Sequence, residues 1–220
     1  MIPKGSRLLS PRRFQRAASL GPMHTKAAPS IALLRGRRTL PLLQAYFELH
    51  HLKHLYRQGW LRVGIPRDTC ESVAEHSFFV ALLCLFLADS SFPEADASKL
   101  VRMALLHDVG EARAGDITPH DGVSREEKQR REREAVERIF SELPHGADYL
   151  ALWEEYEQGI SFEARLVRQV DRLEMGLQAT VYEHQGAGDL SQFFASVHKV
   201  LETPELQALL AELETLRPAR

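Results

Sequence analysis

Two histidines and several carboxylates fall where their side chains turn inward. His76 is followed at three, four, seven and eleven residues by Phe79, Val80, Leu83 and Leu87, an apolar stripe at helical spacing, so its imidazole points into the same interior. Leu100 and Val101 precede His107 and Asp108 by seven residues each, which puts a His-Asp doublet on the buried side at the end of another helix. A third stripe, Phe162, Leu166, Val170, Leu173 and Leu177, is edged by Asp171, Glu174 and Gln178. Any one of these polar residues has a plainer explanation as a hydrogen-bonded core residue. Together, two imidazoles and two carboxylates withdrawn from water must neutralise one another or a cation, and a divalent metal ion does this most simply. Such a nitrogen and oxygen set suits Mn, Fe, Co, Zn or Mg, and the lack of thiolate argues against a closed structural zinc. Four protein ligands on a six-coordinate ion leave room for a water and a substrate oxygen. Glu111, four residues after His107, lies beside the pair if the helix runs one turn further, and Asp116 follows Gly115 in a tight connector at the same mouth.

The elements that must hold these groups read almost wholly as helix. Thr39 is placed to cap a helix with Pro41 in its first turn, and apolar spacing carries that helix to Arg57. An irregular piece over 60–70 precedes a Ser72/Glu75 capping box that opens a helix to about Asp89. Asp96 caps the next, over 97–109, and Ser124 with Glu127 opens a highly charged helix to about Glu142, read as a solvated face. Further helices are predicted over 146–158, 161–184, 189–201 and 204–216, with no sustained alternation and no repeat. The fold class is all-α, a helical bundle over 39–218 with the polar groups in its interior.

Charge divides the chain differently. The 220 residues carry a formal net charge of -2, which excludes a strongly basic nucleic-acid binder. Residues 1–47, however, hold nine Lys and Arg and no acid, leaving 19 basic against 30 acidic residues in the rest. The Arg-, Ser-, Pro- and Gly-rich stretch 1–38 is expected to have little fixed structure and to be dispensable for activity. It reads either as a mitochondrial transit peptide or as an extension without an address on a cytoplasmic protein. Cys70 and Cys84 match no metal or redox spacing and read as structural thiols. The longest apolar run, eleven residues over 78–88, is short of the roughly 20 a bilayer needs, so no membrane partner is expected.

His76, the doublet His107-Asp108 and the distant Asp171 resemble the metal-binding signature of the HD-domain superfamily of phosphohydrolases. The surrounding motifs are most similar to its 5′-deoxynucleotidase branch: Glu71 through His76, His107 through Glu111, Gly115-Asp116-Ile117, and the Glu-Glu-Lys helix after Ser124. The resemblance runs from about Leu42 to Leu216. It implies a homodimeric HD-domain bundle that hydrolyses deoxyribonucleoside 5′-monophosphates with Mn2+, Co2+ or Mg2+. It implies that His76, His107, Asp108 and Asp171 hold the principal cation, with a second in eukaryotic members at Glu111, Asp116 and the backbone of Ile117. Glu111 would handle the proton of the attacking water or the leaving oxygen, Asp116 would assist near the 5′ oxygen, Arg57 would bind phosphate, and Trp60 would pack on the nucleoside. The stretch between Trp60 and His76 is longer than the family pattern. Two other readings stand beside this one: an HD phosphohydrolase acting on another nucleotide, and a catalytically silent HD scaffold.

Overall fold

The computed structural model describes residues 23–218. Among them are ten α-helices and no extended strand: α1 (Pro41–Leu49), α2 (Gln58–Arg62), α3 (Val73–Ser90), α4 (Ala97–Leu106), α5 (Glu111–Ala114), α6 (Arg125–Phe140), α7 (Gly146–Gln158), α8 (Phe162–His184), α9 (Ser191–His198) and α10 (Pro204–Thr215). The long apolar helices α3, α4 and α8 pack on one another; α7, α9 and α10 lie against α8, while α6 spans α1, α5 and α7.

The caps explain where these helices begin. Ser72 Oγ accepts from the Glu75 amide at 3.3 Å, and the Glu75 carboxylate accepts from the Ser72 amide at 2.6 Å, a reciprocal box that satisfies two otherwise orphaned donors. Asp96, Ser124 and Ser161 each accept from the amide three residues on, at the starts of α4, α6 and α8.

The apolar interior forms two clusters. One gathers Trp60, Val80, Leu100, Ala104, Leu166 and Val170 with their neighbours; the other gathers Leu55, Val73, Val109, Val136 and Trp153. Val73 belongs to one and Val80 to the other, with His76 between them. Ala104 and Val109 are divided in the same way around His107 and Asp108. The polar groups therefore lie along the seam between the two clusters.

Several local expectations are corrected. The helix expected to reach Arg57 ends at Leu49 and passes through a 3-10 turn, His50–Lys53, with Leu40 rather than Thr39 in the cap position. Residues 54–57 leave the helix because their backbone pairs elsewhere: Tyr56 bridges antiparallel to Ser72, and Arg57 N donates to Glu71 O at 3.1 Å. Part of the irregular piece is helical, as α2. Phe79 is 52% exposed, since the buried line of α3 runs through His76, Val80, Cys84 and Leu87 and a three-residue step from His76 turns outward. By length and apolar composition α3 is long enough to cross a membrane, yet this buried line packs against α4 and α8. Cys70 and Cys84 are free and buried, and burial pushes both thiols up to about 12.

The expectation of little fixed structure before Arg38 falls, for residues 1–22, outside the described residues. For 23–38 it does not hold. Thr25 bridges antiparallel to Leu55, a 3-10 helix Ser30–Leu34 lies on α1, and Ser30 Oγ and His50 Nδ1 are hydrogen-bonded at 2.8 Å. Composition misled here because main-chain pairing needs no acidic or apolar side chain.

Candidate metal centre

Three helices and one turn bring the four expected ligands together. His76 lies in the first turn of α3, His107 closes α4, Asp108 starts the turn toward α5, and Asp171 faces inward from α8. His76 Nε2 is 3.1 Å from Asp171 Oδ1 and 3.8 Å from Asp108 Oδ2, and His107 Nε2 is 3.2 Å from the same Asp108 oxygen.

The second nitrogen of each ring fixes what the first can do. His107 Nδ1 is 2.7 Å from the Ala104 carbonyl, which only accepts, so Nδ1 carries the proton and Nε2 presents a lone pair. That Nε2 is buried and has no hydrogen-bond partner among the described residues. His76 Nδ1 donates to Glu174 Oε2 at 2.6 Å, which turns Nε2 toward Asp171 and Asp108. Lone pairs and anionic oxygens this close repel one another unless positive charge stands among them. The same field acts on a proton: burial and Arg57 oppose charge on His76, but Asp171 and Glu174 outweigh them and hold its pKa up at about 10. Burial likewise pushes Asp108 up, and His107 and Arg57 overcome it and hold the carboxyl well below its ordinary range. Separations near 3 Å are those of neighbouring oxygen or nitrogen donors on an octahedral ion with bonds of about 2.1 Å. The donor set fits a divalent cation.

The ligands are braced by their neighbours. Trp153 Nε1, from α7, donates to the His107 carbonyl at 3.1 Å, and the Tyr156 ring stands edge-on to the His107 imidazole at 5.4 Å. A Cβ on Gly110 would stand 2.9 Å from Glu132 Cβ, so only glycine lets α6 approach the turn after Asp108 this closely.

Around this centre the mouth is charged. Glu111 begins α5, is 2% exposed, and has Oε2 buried with no hydrogen-bond partner among the described residues. Burial first, then Asp108 and Asp116, push its pKa well above the usual carboxylate range. Asp116 follows Gly115, whose φ of +83° makes the turn that brings the carboxylate inward. Arg57 Nη1 lies between two carboxylates, 3.4 Å from Asp108 Oδ2 and 3.6 Å from Asp116 Oδ1. Ile117 is buried directly after Asp116.

Trp60 is placed differently. It is 2% exposed, packs against Tyr182 and Phe193 with ring centroids 5.2 and 4.2 Å away, and donates from Nε1 to Glu71 at 2.7 Å. This is a core position with no open indole face for a nucleoside.

Three residues escaped the sequence reading of the site. The sequence shows Glu174 only as part of a polar edge, although its place three residues after Asp171 puts it on the same face of α8. Lys128 pairs with Glu132 at 3.5 Å on the inner face of α6. Burial opposes its charge, but Glu132, Glu111, Asp108 and Asp116 hold it strongly protonated. The solvated-face reading is right for Arg130, Arg133 and Glu134 and wrong for Glu132, which is buried, with Lys128 part-exposed above it. Gln58 gives no sequence signal, because no residue type marks a backbone donor: its amide donates to Asp116 Oδ2 at 2.5 Å.

Residues 49–210 match the family model described as HD domain. The chain belongs to the HD-domain family. This HD-domain chain is 38% identical over 197 residues to 5′-deoxynucleotidase HDDC2 of Bos taurus, covering 88% of its own length and 94% of the relative's. It is 36% identical over 157 residues to 5′-deoxynucleotidase YGK1 of Saccharomyces cerevisiae, covering 68% and 71%. Among solved structures, PH0347 protein from Pyrococcus horikoshii superposes with a TM-score of 0.69 at 32% identity, over 80% of this chain and 99% of that one. A predicted metal-dependent phosphohydrolase from Magnetospirillum magnetotacticum gives 0.61 at 29% identity, over 81% and 97%.

Proposed function

We propose that the protein is a divalent-metal-dependent 5′-deoxynucleotidase, releasing phosphate from deoxyribonucleoside 5′-monophosphates. The observation that carries the chemistry is the convergence of His76, His107, Asp108 and Asp171 around a spot that calls for positive charge, with a half-buried guanidinium and an unpartnered carboxyl oxygen beside it. The deoxynucleotide is supported by the names of relatives that the chain matches over most of their length.

His76, His107, Asp108 and Asp171 would hold Mn2+, Co2+ or Mg2+, with Glu111, Asp116 and the backbone of Ile117 available to a second ion. When bound, a divalent cation supplies Lewis acidity toward the phosphoryl group and makes water a better nucleophile near neutral pH. Arg57 binds phosphoryl oxygens: its guanidinium stands at the mouth and is held in place by Asp108 and Asp116 on one side. Glu111 Oε2 takes the proton of the attacking water or gives one to the departing 5′ oxygen, a task open to it because that oxygen is committed to no other partner. Asp116 orients the substrate near the ester oxygen. A second copy of the chain would pair through exposed apolar residues of the first and last helices, such as Leu42 and Tyr46 of α1 and Leu209 of α10.

The test is phosphate release from mono-, di-, tri- and cyclic nucleotides, in deoxy and ribo forms, with each metal in turn. Turnover confined to deoxy-monophosphates is the expected result. Equal turnover of AMP and dAMP would remove the sugar preference, and metal binding without cleavage of any ester would favour the scaffold reading.

A further inference from the structure

Residues 23–26 precede the matched family region, yet they are built into the mouth of the site. Thr25 bridges antiparallel to Leu55 and Lys26 N donates to His54 O at 2.6 Å, while on the opposite edge Tyr56 bridges to Ser72 and Val73 N donates to Leu55 O at 2.9 Å. The segment that leads into Arg57 is thus the middle row of three. The Gln58 side chain locks the outer row to it. Its Oε1 accepts from His24 N at 3.1 Å, and its Nε2 donates to His24 O at 2.9 Å and to Tyr56 O at 2.7 Å. Lys26 Nζ adds an ion pair to Glu75 at 3.3 Å, and the His24 ring meets Arg67 at 2.7 Å. Met23 lies over Gly115, where a Cβ would collide with its sulfur, so the residue before Asp116 is covered by this same segment.

We propose that Met23 and Gln58 are positioning residues for the phosphohydrolase site, the segment 23–26 fixing Gln58 and Gly115 from outside and through them Asp116 and Arg57. The Gln58 amide reaches Asp116 only while Gln58 starts α2 in this orientation, and the clasp to His24 is what sets it. The stretch is therefore not a detachable address. The proposal rests on the functional reading above for its catalytic consequence, but not for its structural one.

The experiment uses full-length protein carrying Gln58→Met, which keeps the side-chain length and removes the clasp, together with Met23→Ala and the conservative Met23→Leu. Hydrogen exchange and steady-state kinetics on a deoxynucleoside monophosphate are read in parallel. Gln58→Met should lose amide protection over 54–58 and 115–117, with kcat lower by about tenfold and KM raised by about threefold as Arg57 loses its support, while Mn2+ affinity holds. Met23→Ala should show a smaller fall in kcat of about threefold, restored by Met23→Leu. Unchanged protection at those amides overturns the proposal, as does a kcat within about twofold of wild type when protection is lost. If wild-type protein cleaves no nucleotide, the functional reading fails by itself, and exchange still decides whether residues 23–26 hold Gln58 and Gly115.

Discussion

The two halves of the site are held by different kinds of structure. His76, His107 and Asp171 stand on or at the ends of α3, α4 and α8, long helices whose opposite neighbours are apolar core. Arg57, Asp116 and Gln58 stand on short irregular segments that are fixed by backbone pairing and by residues 23–26. Asp108 belongs to both, since one of its oxygens faces both histidines and the Arg57 guanidinium. The helical half is suited to holding a cation at fixed distances. The irregular half is suited to gripping a substrate, where a side chain must meet a group that comes and goes. Metal affinity and substrate affinity should therefore be separable by mutation.

Asp108→Ala ought to defeat that separation, because it removes a ligand and the anchor of Arg57 together. Phosphate release should fall by about 10³-fold or more and stoichiometric Mn2+ binding should be lost in calorimetry. Activity retained in this variant would sink the metal assignment. Arg57→Ala cuts into the irregular half alone: kcat/KM should drop by about 10²-fold, a charge-assisted contact worth near 3 kcal/mol, while Mn2+ affinity holds. Glu174→Gln does the converse. Its carboxylate orients His76 from behind, so Mn2+ affinity should weaken by about 10- to 100-fold, with KM at saturating metal little changed. If Arg57→Ala weakens metal, or Glu174→Gln raises KM, the two halves are not independent.

The same division governed how much could be read from sequence. Helical spacing located His76, His107-Asp108 and Asp171, because a side chain's direction on a helix follows from its neighbours at three and four residues. Capping residues located the starts of α3, α4, α6 and α8 for a similarly local reason. Phe79 shows the limit of that method, since a three-residue step puts it at the edge of the stripe and packing alone decides its side. The irregular half left almost no trace. Gln58 contributes its amide and a side chain directed at main-chain atoms of His24, 34 residues away, and no residue type marks such a contact. Residues 23–38 are illegible for the same reason, since composition reports what side chains can bury and says nothing of the backbone pairing of Thr25 with Leu55. Trp60 was placed at the nucleoside by resemblance, and the structure seats it in the core.

Between the two halves runs the turn of residues 107–111, and α6 presses on it through Glu132. This carboxyl is almost buried, with Lys128 at 3.5 Å as its ion-pair partner. Burial pushes its pKa up and Lys128 only partly compensates, leaving it at about 7 against 4.5 for an ordinary glutamate. Its sign follows from the bound proton. The folded state holds a proton that the unfolded state releases near 4.5, so the stability Glu132 contributes is complete below that pH and is lost as pH rises through 7. Relative to Glu132→Gln, which stays neutral, wild-type stability should fall by about 3 kcal/mol over that window, measured as the difference between urea melts of the two proteins at each pH. Turnover at saturating metal should change least of all the variants considered, because neither a ligand nor a substrate contact is touched. A stability difference that stays flat from acid to neutral pH would mean that Lys128 compensates the buried charge fully. α6 would then stabilise the turn equally in both protonation states, and the packing against Gly110 alone would hold the two halves in register.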